Sequence, residues 1–456
     1  MNLSSKKYRG SIKQLDLFIV IIVSAICFFI PASYDWNFVN PFYCLLIAIN
    51  SFISLYYMLF DRPRSFTISK LINLFIFVFF ILANSIQYAT QNVVLTFHYK
   101  FTHSDYIVFQ FLVMFILIFY NFIHDLYLKK YESNNNLDDK IKRNYNNNNL
   151  LFLSLVVTFF ILALYRFNVF TLFFRGFTES YLSEHGVKTV SFDSTSSGLI
   201  FDKIIRAFPW AIYILSCCIN YPKKKRRVLF WLMVITVFPL GLSRNAAAMY
   251  WIPVLILKFA KYLKGNRFIY LMLIGIFVLF PFMDNFRYFD GNVKFKFSLD
   301  YLNTMNMDAS QIFMAVIKEN LLTYGYQLLG VFFFFFPRSL WLSKPVGSGY
   351  YVVEYMDGWF PNVSMPYFGE GFINFGIPGL LIFLYFIAYF SGRLDSNFWS
   401  SYRKIKFSPQ SGFYLIILSA IIFIMRGDLL SSFAFTIGTC LCYYLAYKTT
   451  LIKLKI

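Results

Sequence analysis

The chain has 456 residues, of which 58% are hydrophobic, 22% aromatic and 14% charged, with a mean hydropathy of +0.58. A water-soluble globular protein is nearer about 45–50% apolar and about 25% charged, so an ordinary soluble enzyme is excluded. The formal net charge of +20 would suit nucleic acid only if it were gathered on one exposed face, and its distribution along the chain argues otherwise.

Apolar runs long enough to cross a hydrocarbon core about 30 Å thick recur from one end to the other. They predict an all-α polytopic membrane protein with twelve spans: 15–31, 41–60, 69–89, 105–127, 150–168, 199–220, 228–242, 246–262, 268–284, 372–391, 412–426 and 432–447. The first is preceded by basic residues, as a signal peptide is. No convincing cleavage site follows, so it is expected to stay. The stretch 131–149 is Asn-rich and of low complexity, which predicts a disordered connection.

The connections sort by charge. One side takes 28 of the 42 Lys and Arg residues, including the run Lys223, Lys224, Lys225, Arg226 and Arg227, against seven acids. By the positive-inside rule that side is cytoplasmic, and both termini fall on it. Nearly all of the net charge is accounted for by topology, and no basic face remains for nucleic acid.

The chain accordingly divides into spans one to nine (1–284), a large periplasmic loop (285–371), and spans ten to twelve with a cytoplasmic tail (372–456). The apolar run 321–336 would invert the charge pattern after it if it crossed the membrane. It is therefore expected to be re-entrant or interfacial, in a helical loop folded over the membrane face.

All six cysteines (Cys27, Cys44, Cys217, Cys218, Cys440, Cys442) fall within expected spans, and the four histidines lack metal-ligand spacing. No phosphate-cradling Gly-rich loop and no nucleophile elbow occur. No metal and no cofactor is expected.

Charged residues at membrane depth are costly and are functional candidates by default. Arg244 lies in the tight hairpin GLSRNAAAMYW, and Arg426 and Asp428 lie in IMRGDLLSS. Arg206 and Arg287 lie near the outer ends of two further spans. Arginines gathered at one level would offer permanent charge and forked donors that match phosphate oxygens. Alternatively they snorkel or pair with acids, Arg426 with Asp428 for instance. In the outer loop, Arg338 and Lys344 follow the apolar run, with Trp341, Tyr350, Tyr351 and Trp359 nearby as sugar platforms or as an interfacial aromatic belt. Arg338 precedes Gly349 at the same spacing as Arg175 precedes Gly186. Glu370, between two glycines in NVSMPYFGEGFINFGIPGLL, is a candidate proton acceptor or an acid complementing a helix N-terminus.

Taken together, GLSRNAAA, FFFPRSLWLSKPVGSG, NVSMPYFGEGFINFGIPG and RGDLL resemble the Wzy-type O-antigen (oligosaccharide repeat-unit) polymerases of Gram-negative bacteria. The likeness runs over roughly 228–440. It implies an inner-membrane glycosyltransferase acting on undecaprenyl-diphosphate-linked oligosaccharide at the periplasmic side, with a chain-length regulator as partner. It also implies functional outer-loop arginines, here Arg175, Arg244 and Arg338. With no metal or nucleotide site, the expected reaction is a single inverting displacement, with Arg338, Glu370 and Asp428 as catalytic candidates. Arg244, Arg426, Arg175, Arg287, Arg206, Lys344 and Trp341 are the substrate-binding candidates. An O-antigen ligase uses the same donor. A lipid-linked oligosaccharide flippase would also have about twelve spans, but it would predict short loops on both sides.

Overall fold

The computed structural model describes residues 3–34, 38–60, 64–94, 99–134, 148–164, 170–173, 196–219, 221–279, 281–282, 299–358, 363–404 and 406–451. In these residues the fold is all-helical. Seven helices are long and apolar enough to cross a membrane. They are α1 (Leu3–Ala32), α2 (Pro41–Phe60), α3 (Ile68–Thr90), α4 (His103–Asn134), α14 (Tyr367–Lys404), α15 (Pro409–Arg426) and α16 (Leu429–Leu451).

The other five expected spans are helical without reaching that measure. They are α5 (Asn148–Leu164), α7 (Ser196–Cys218), α8 (Lys223–Thr236), α9 (Arg244–Phe259) and α10 (Arg267–Ile274). Helix α8 begins earlier than its apolar run and takes the basic cluster into its first turns. It stops at Thr236, just before Pro239 and Gly241 start a 3-10 turn. Four shorter helices complete the order: α6 (Phe170–Phe173), α11 (Ala309–Lys318), α12 (Tyr326–Phe332) and α13 (Ser348–Tyr355).

Helix α3 is the axis of the fold, and its whole apolar window is buried. A helix that is apolar all round belongs inside a bundle, and here α2, α4, α14 and α15 surround it. Its polar side chains find partners on those neighbours. Asn73 and Asn121 exchange amide hydrogen bonds at 3.0 Å. Asn84 Oδ1 accepts from the Tyr43 hydroxyl and from Gln110 Nε2, both at 2.8 Å. Away from water such groups must be satisfied inside the protein, and they then bind helices together. On the outside of the bundle, Phe18, Phe122, Phe159 and Phe386 are exposed, as lipid-facing positions would be.

At one end of the bundle Asp395, fully buried, fixes four elements. It accepts from the backbone N–H groups of Ile68 and Ser69 at the start of α3, from the Tyr414 hydroxyl at 2.7 Å, and pairs with His124 at 3.3 Å.

At the other end the long connection does not lie over the bundle as a cap. It folds in. Residues Ala309–Val316 of α11 are all buried, and Phe313 meets Phe80 and Phe109 from α3 and α4. Helix α14 also departs from the expected straight span. Phe375 and Gly376 are non-helical, Gly376 with φ +63°, and the chain doubles back there. The rings of Tyr367 and Phe383 meet tilted, with centres 4.9 Å apart, although sixteen residues of straight helix would separate them by about 24 Å. The glycines at 371 and 379 allow the two arms to touch, since a Cβ on Gly379 would overlap the Gly371 carbonyl. Residues 367–374 are thus an arm folded back along the helix, and its Phe368 reaches Phe80.

Candidate functional site

Two arginines from separate hairpins meet at one turn. Arg244 opens α9 behind the N-cap Ser243, whose hydroxyl accepts the Ala246 N–H. Its guanidinium donates to the Tyr301 hydroxyl at 3.1 Å and to Asn306 Oδ1. Arg426 closes α15 and donates to Asp308 Oδ1 at 3.2 Å. Asn306 and Asp308 bracket Met307, the last residue of the 3-10 turn Met305–Met307.

Arg426 also lies over the ring of Phe79, 5.8 Å from its centre, within the range of a cation–π contact. Phe79 is the middle residue of α3, so Arg426 lies level with the middle of the central helix. Asp308 is buried and also accepts from the backbone and hydroxyl of Ser364. The Arg426 side chain keeps 19% of its surface exposed, and its Nε has no hydrogen-bond partner among the described residues. The expected pairing of Arg426 with Asp428 is corrected: the carboxylate it engages is Asp308.

Two residues beyond Arg426, Asp428 ties together the N-termini of α13 and α16. Its carboxylate accepts the Leu430 N–H at 2.9 Å and the Gly349 N–H at 3.2 Å. Burial pushes its pKa above the ordinary aspartate range, and these N–H groups pull the other way. Glu370, 1% exposed, takes the Leu429 N–H at 3.0 Å on one oxygen and the Ser348 hydroxyl at 2.7 Å on the other. The two acids therefore serve the same pair of helix N-termini, where unpaired N–H groups and the helix dipole favour negative charge. Gly347 is required beside them, because a Cβ there would overlap Asp428 Oδ2.

Arg338 and Lys344 form a third group, turned onto their own loop. Arg338 donates to the carbonyls of Lys344 at 2.8 Å and Pro345 at 3.0 Å. The buried Lys344 donates to the carbonyls of Phe334 and Phe336 at 2.8 and 2.9 Å. Burial, with Arg338 close by, lowers the Lys344 pKa. Trp341 donates to the Ser343 hydroxyl at 3.1 Å and packs edge-on against Phe333.

Arg206 stands apart from these groups. It is buried, with its guanidinium donating to the carbonyls of Thr236 at 2.9 Å and Leu172 at 3.4 Å, where it closes the end of α8. Arg175, Arg287, Gly186 and Trp359 lie outside the described residues, as does 135–147 of the Asn-rich connection.

The structure thus brings Arg244 with Arg426, Glu370 with Asp428, and Arg338 with Lys344. The links between them are Tyr301, Asn306, Asp308 and Ser348, none of which stood out in the sequence. Asp308 had one visible signal, an acid in the apolar stretch MNMDASQIFMAV. Among the described residues no group of three His, Cys, Asp or Glu side chains could hold a metal ion. The chain matches no protein-family model, no curated protein and no solved structure.

Proposed function

We propose that the chain is a glycosyltransferase of the bacterial inner membrane, of the Wzy type, that polymerises undecaprenyl-diphosphate-linked O-antigen repeat units on the periplasmic side. The observation that carries this reading is the meeting of Arg244 and Arg426 at Asn306 and Asp308, with Arg426 level with the middle of α3. Two permanent cations at such depth are costly. A lipid diphosphate is a ligand whose charge lies at the membrane and whose oxygens match forked donors.

In this reading the donor diphosphate approaches Arg426 on its exposed side, and Arg244 secures the neighbouring turn. The acceptor hydroxyl of the next lipid-linked unit attacks the anomeric carbon of the donor in one displacement. The bond to the diphosphate oxygen breaks with its electron pair, the acceptor's hydroxyl proton passes to the departing diphosphate, the configuration inverts, and the arginines stabilise the charge that develops. Glu370 and Asp428 hold α13 and α16 in register with the arginines. Their oxygens are engaged by N–H and hydroxyl donors, so they act as positioning residues and not as proton acceptors.

The reading is tested on surface lipopolysaccharide from a deletion strain. Core carrying a single repeat unit is expected. Bare core would move the protein to the ligase or flippase reading.

A further inference from the structure

Helix α12 and the turn after it form a hook whose two faces differ. Its inner face, Leu328 and Val331, packs on Phe383, Leu429 and Phe433, and Phe334 meets Phe433 edge-on at 6.1 Å. Phe383 lies seven residues past the break in α14, or about 10 Å along that helix, so the hook runs beside two candidate spans and not above them. Its outer face presents Phe332, Phe333, Phe335, Phe336, Leu340 and Leu342, with Leu342 90% exposed. A patch of this kind on a protein surface calls for an occupant.

The occupant is indicated by continuity. Ile377, Ile382 and Phe386 on α14, and Ile437 and Leu441 on α16, are exposed apolar residues of the two spans that the hook packs against. A surface shared with the outside of membrane helices is wetted by the same solvent. The backbone of the hook is also prepared for a place without water. Irregular chain at membrane depth is tolerated only where its polar groups are satisfied by protein. Lys344 takes the carbonyls of Phe334 and Phe336, Arg338 those of Lys344 and Pro345, and the Tyr326 hydroxyl that of Ser343. The N–H groups of Phe333, Phe334, Phe336, Leu340 and Trp341 bond within the hook. At its base, Thr323 and Gly325 donate to the carbonyls of Ile373 and Asn374 that the break in α14 leaves free.

We propose that the apolar side chains of residues 332–342 are embedded among the acyl chains of the bilayer leaflet beside α14 and α16, and that Lys344 makes this possible by taking the carbonyls of Phe334 and Phe336, with Arg338 securing the turn behind it. This inference does not depend on the glycosyltransferase reading.

The test is collision-gradient EPR on the full chain in nanodiscs. A nitroxide is placed by Phe335→Cys or Leu342→Cys, with the background from the unsubstituted chain subtracted. Phe386→Cys serves as the lipid reference and Glu354→Cys, exposed on α13, as the aqueous one. Both hook positions are expected to favour oxygen over a water-soluble nickel chelate, as Phe386 does. Chelate access like that of Glu354 would overturn the proposal by placing the hook in water. Low access to both reagents would overturn it by showing a protein on that face. In the Phe335→Cys background, Lys344→Met is expected to raise chelate access severalfold as the freed carbonyls seek water. No change would remove Lys344 from its role.

Discussion

Arg244 and Arg426 come from hairpins far apart in the chain and bond to side chains two positions apart, Asn306 and Asp308. Neither arginine is merely snorkelling toward solvent. Each fixes one end of a turn that carries the chain into α11, so the inserted helix and the two arginine contacts are one construction.

The pair predicts a specific double-mutant pattern. Arg426→Ala leaves the buried carboxylate of Asp308 without its counter-charge, and breaking such a pair typically costs about 3–5 kcal/mol. A lower thermal midpoint in detergent and lower abundance are expected. Adding Asp308→Asn removes the stranded charge and is expected to restore most of the stability without restoring polymer. Polymer recovery in the double variant would show that Arg426 serves the fold alone. Arg426→Lys is expected to fold well yet make shorter polymer, since charge is kept and the fork is lost.

Orientation has its own check. Asn320 follows α11 at the inserted end of the bundle, whereas α14 ends at Lys404 beyond Asp395, at the opposite end. A reporter fused after residue 320 is expected to be active in the periplasm, and one fused after 400 in the cytoplasm. The reverse at either position would overturn the proposed sidedness.

Gly347 makes a steric prediction. Asp428 cannot retreat from a new methyl group without giving up the Gly349 or Leu430 N–H, both at helix N-termini. Gly347→Ala is therefore expected to lower the thermal midpoint by an amount matching about 1–3 kcal/mol, the cost of a buried donor left unsatisfied. An unchanged midpoint would mean that Ser348–Gly349 is looser than its bonds indicate.

The long spans were legible in the sequence because length and hydropathy settle them: the expected 41–60 coincides with α2, and 69–89 falls within α3. What happens between them was not. In FGEGFINFGIPGLL the Gly and Pro residues are punctuation, but apolar counting runs through Phe375–Gly376 as though the helix were straight. Arg426 beside Asp428 invited the local pairing, whereas the actual partner, Asp308, is brought in by a fold-back that no local pattern encodes. The cluster around Asp395 was hidden for a similar reason. Asp395 reads in the sequence as one more acid among basic neighbours, while its partners Ile68, His124 and Tyr414 come from three other helices.

Asp428 gives the site a pH dependence of definite sign. Burial raises its pKa in the folded protein above the unfolded value of about 3.9, so between those two values the folded state binds the proton more tightly. Stability contributed by this group is then highest below the unfolded pKa and falls as pH rises through the window up to the folded value. Asp428→Asn cannot titrate and is expected to flatten that part of the curve of thermal midpoint against pH. An equal slope in both proteins would assign the titration elsewhere.

Glu370 separates a positioning role from a catalytic one. Its two oxygens accept the Leu429 N–H and the Ser348 hydroxyl. Gln offers a carbonyl to the first, and its amide can donate to a reoriented Ser348 hydroxyl, so Glu370→Gln is expected to keep both links, near-normal abundance and most of the polymer. Glu370→Ala strands two buried donors at about 1–3 kcal/mol each and is expected to reduce abundance and polymer together. If instead Glu370→Gln were fully abundant while polymerisation fell by about 10²–10⁴-fold, the range of general-base assistance, Glu370 would return to the role of proton acceptor. Ser348→Ala sharpens the distinction. It removes one of the two links and leaves the carboxylate, so a positioning Glu370 predicts a partial loss of stability with polymer falling only in proportion to abundance.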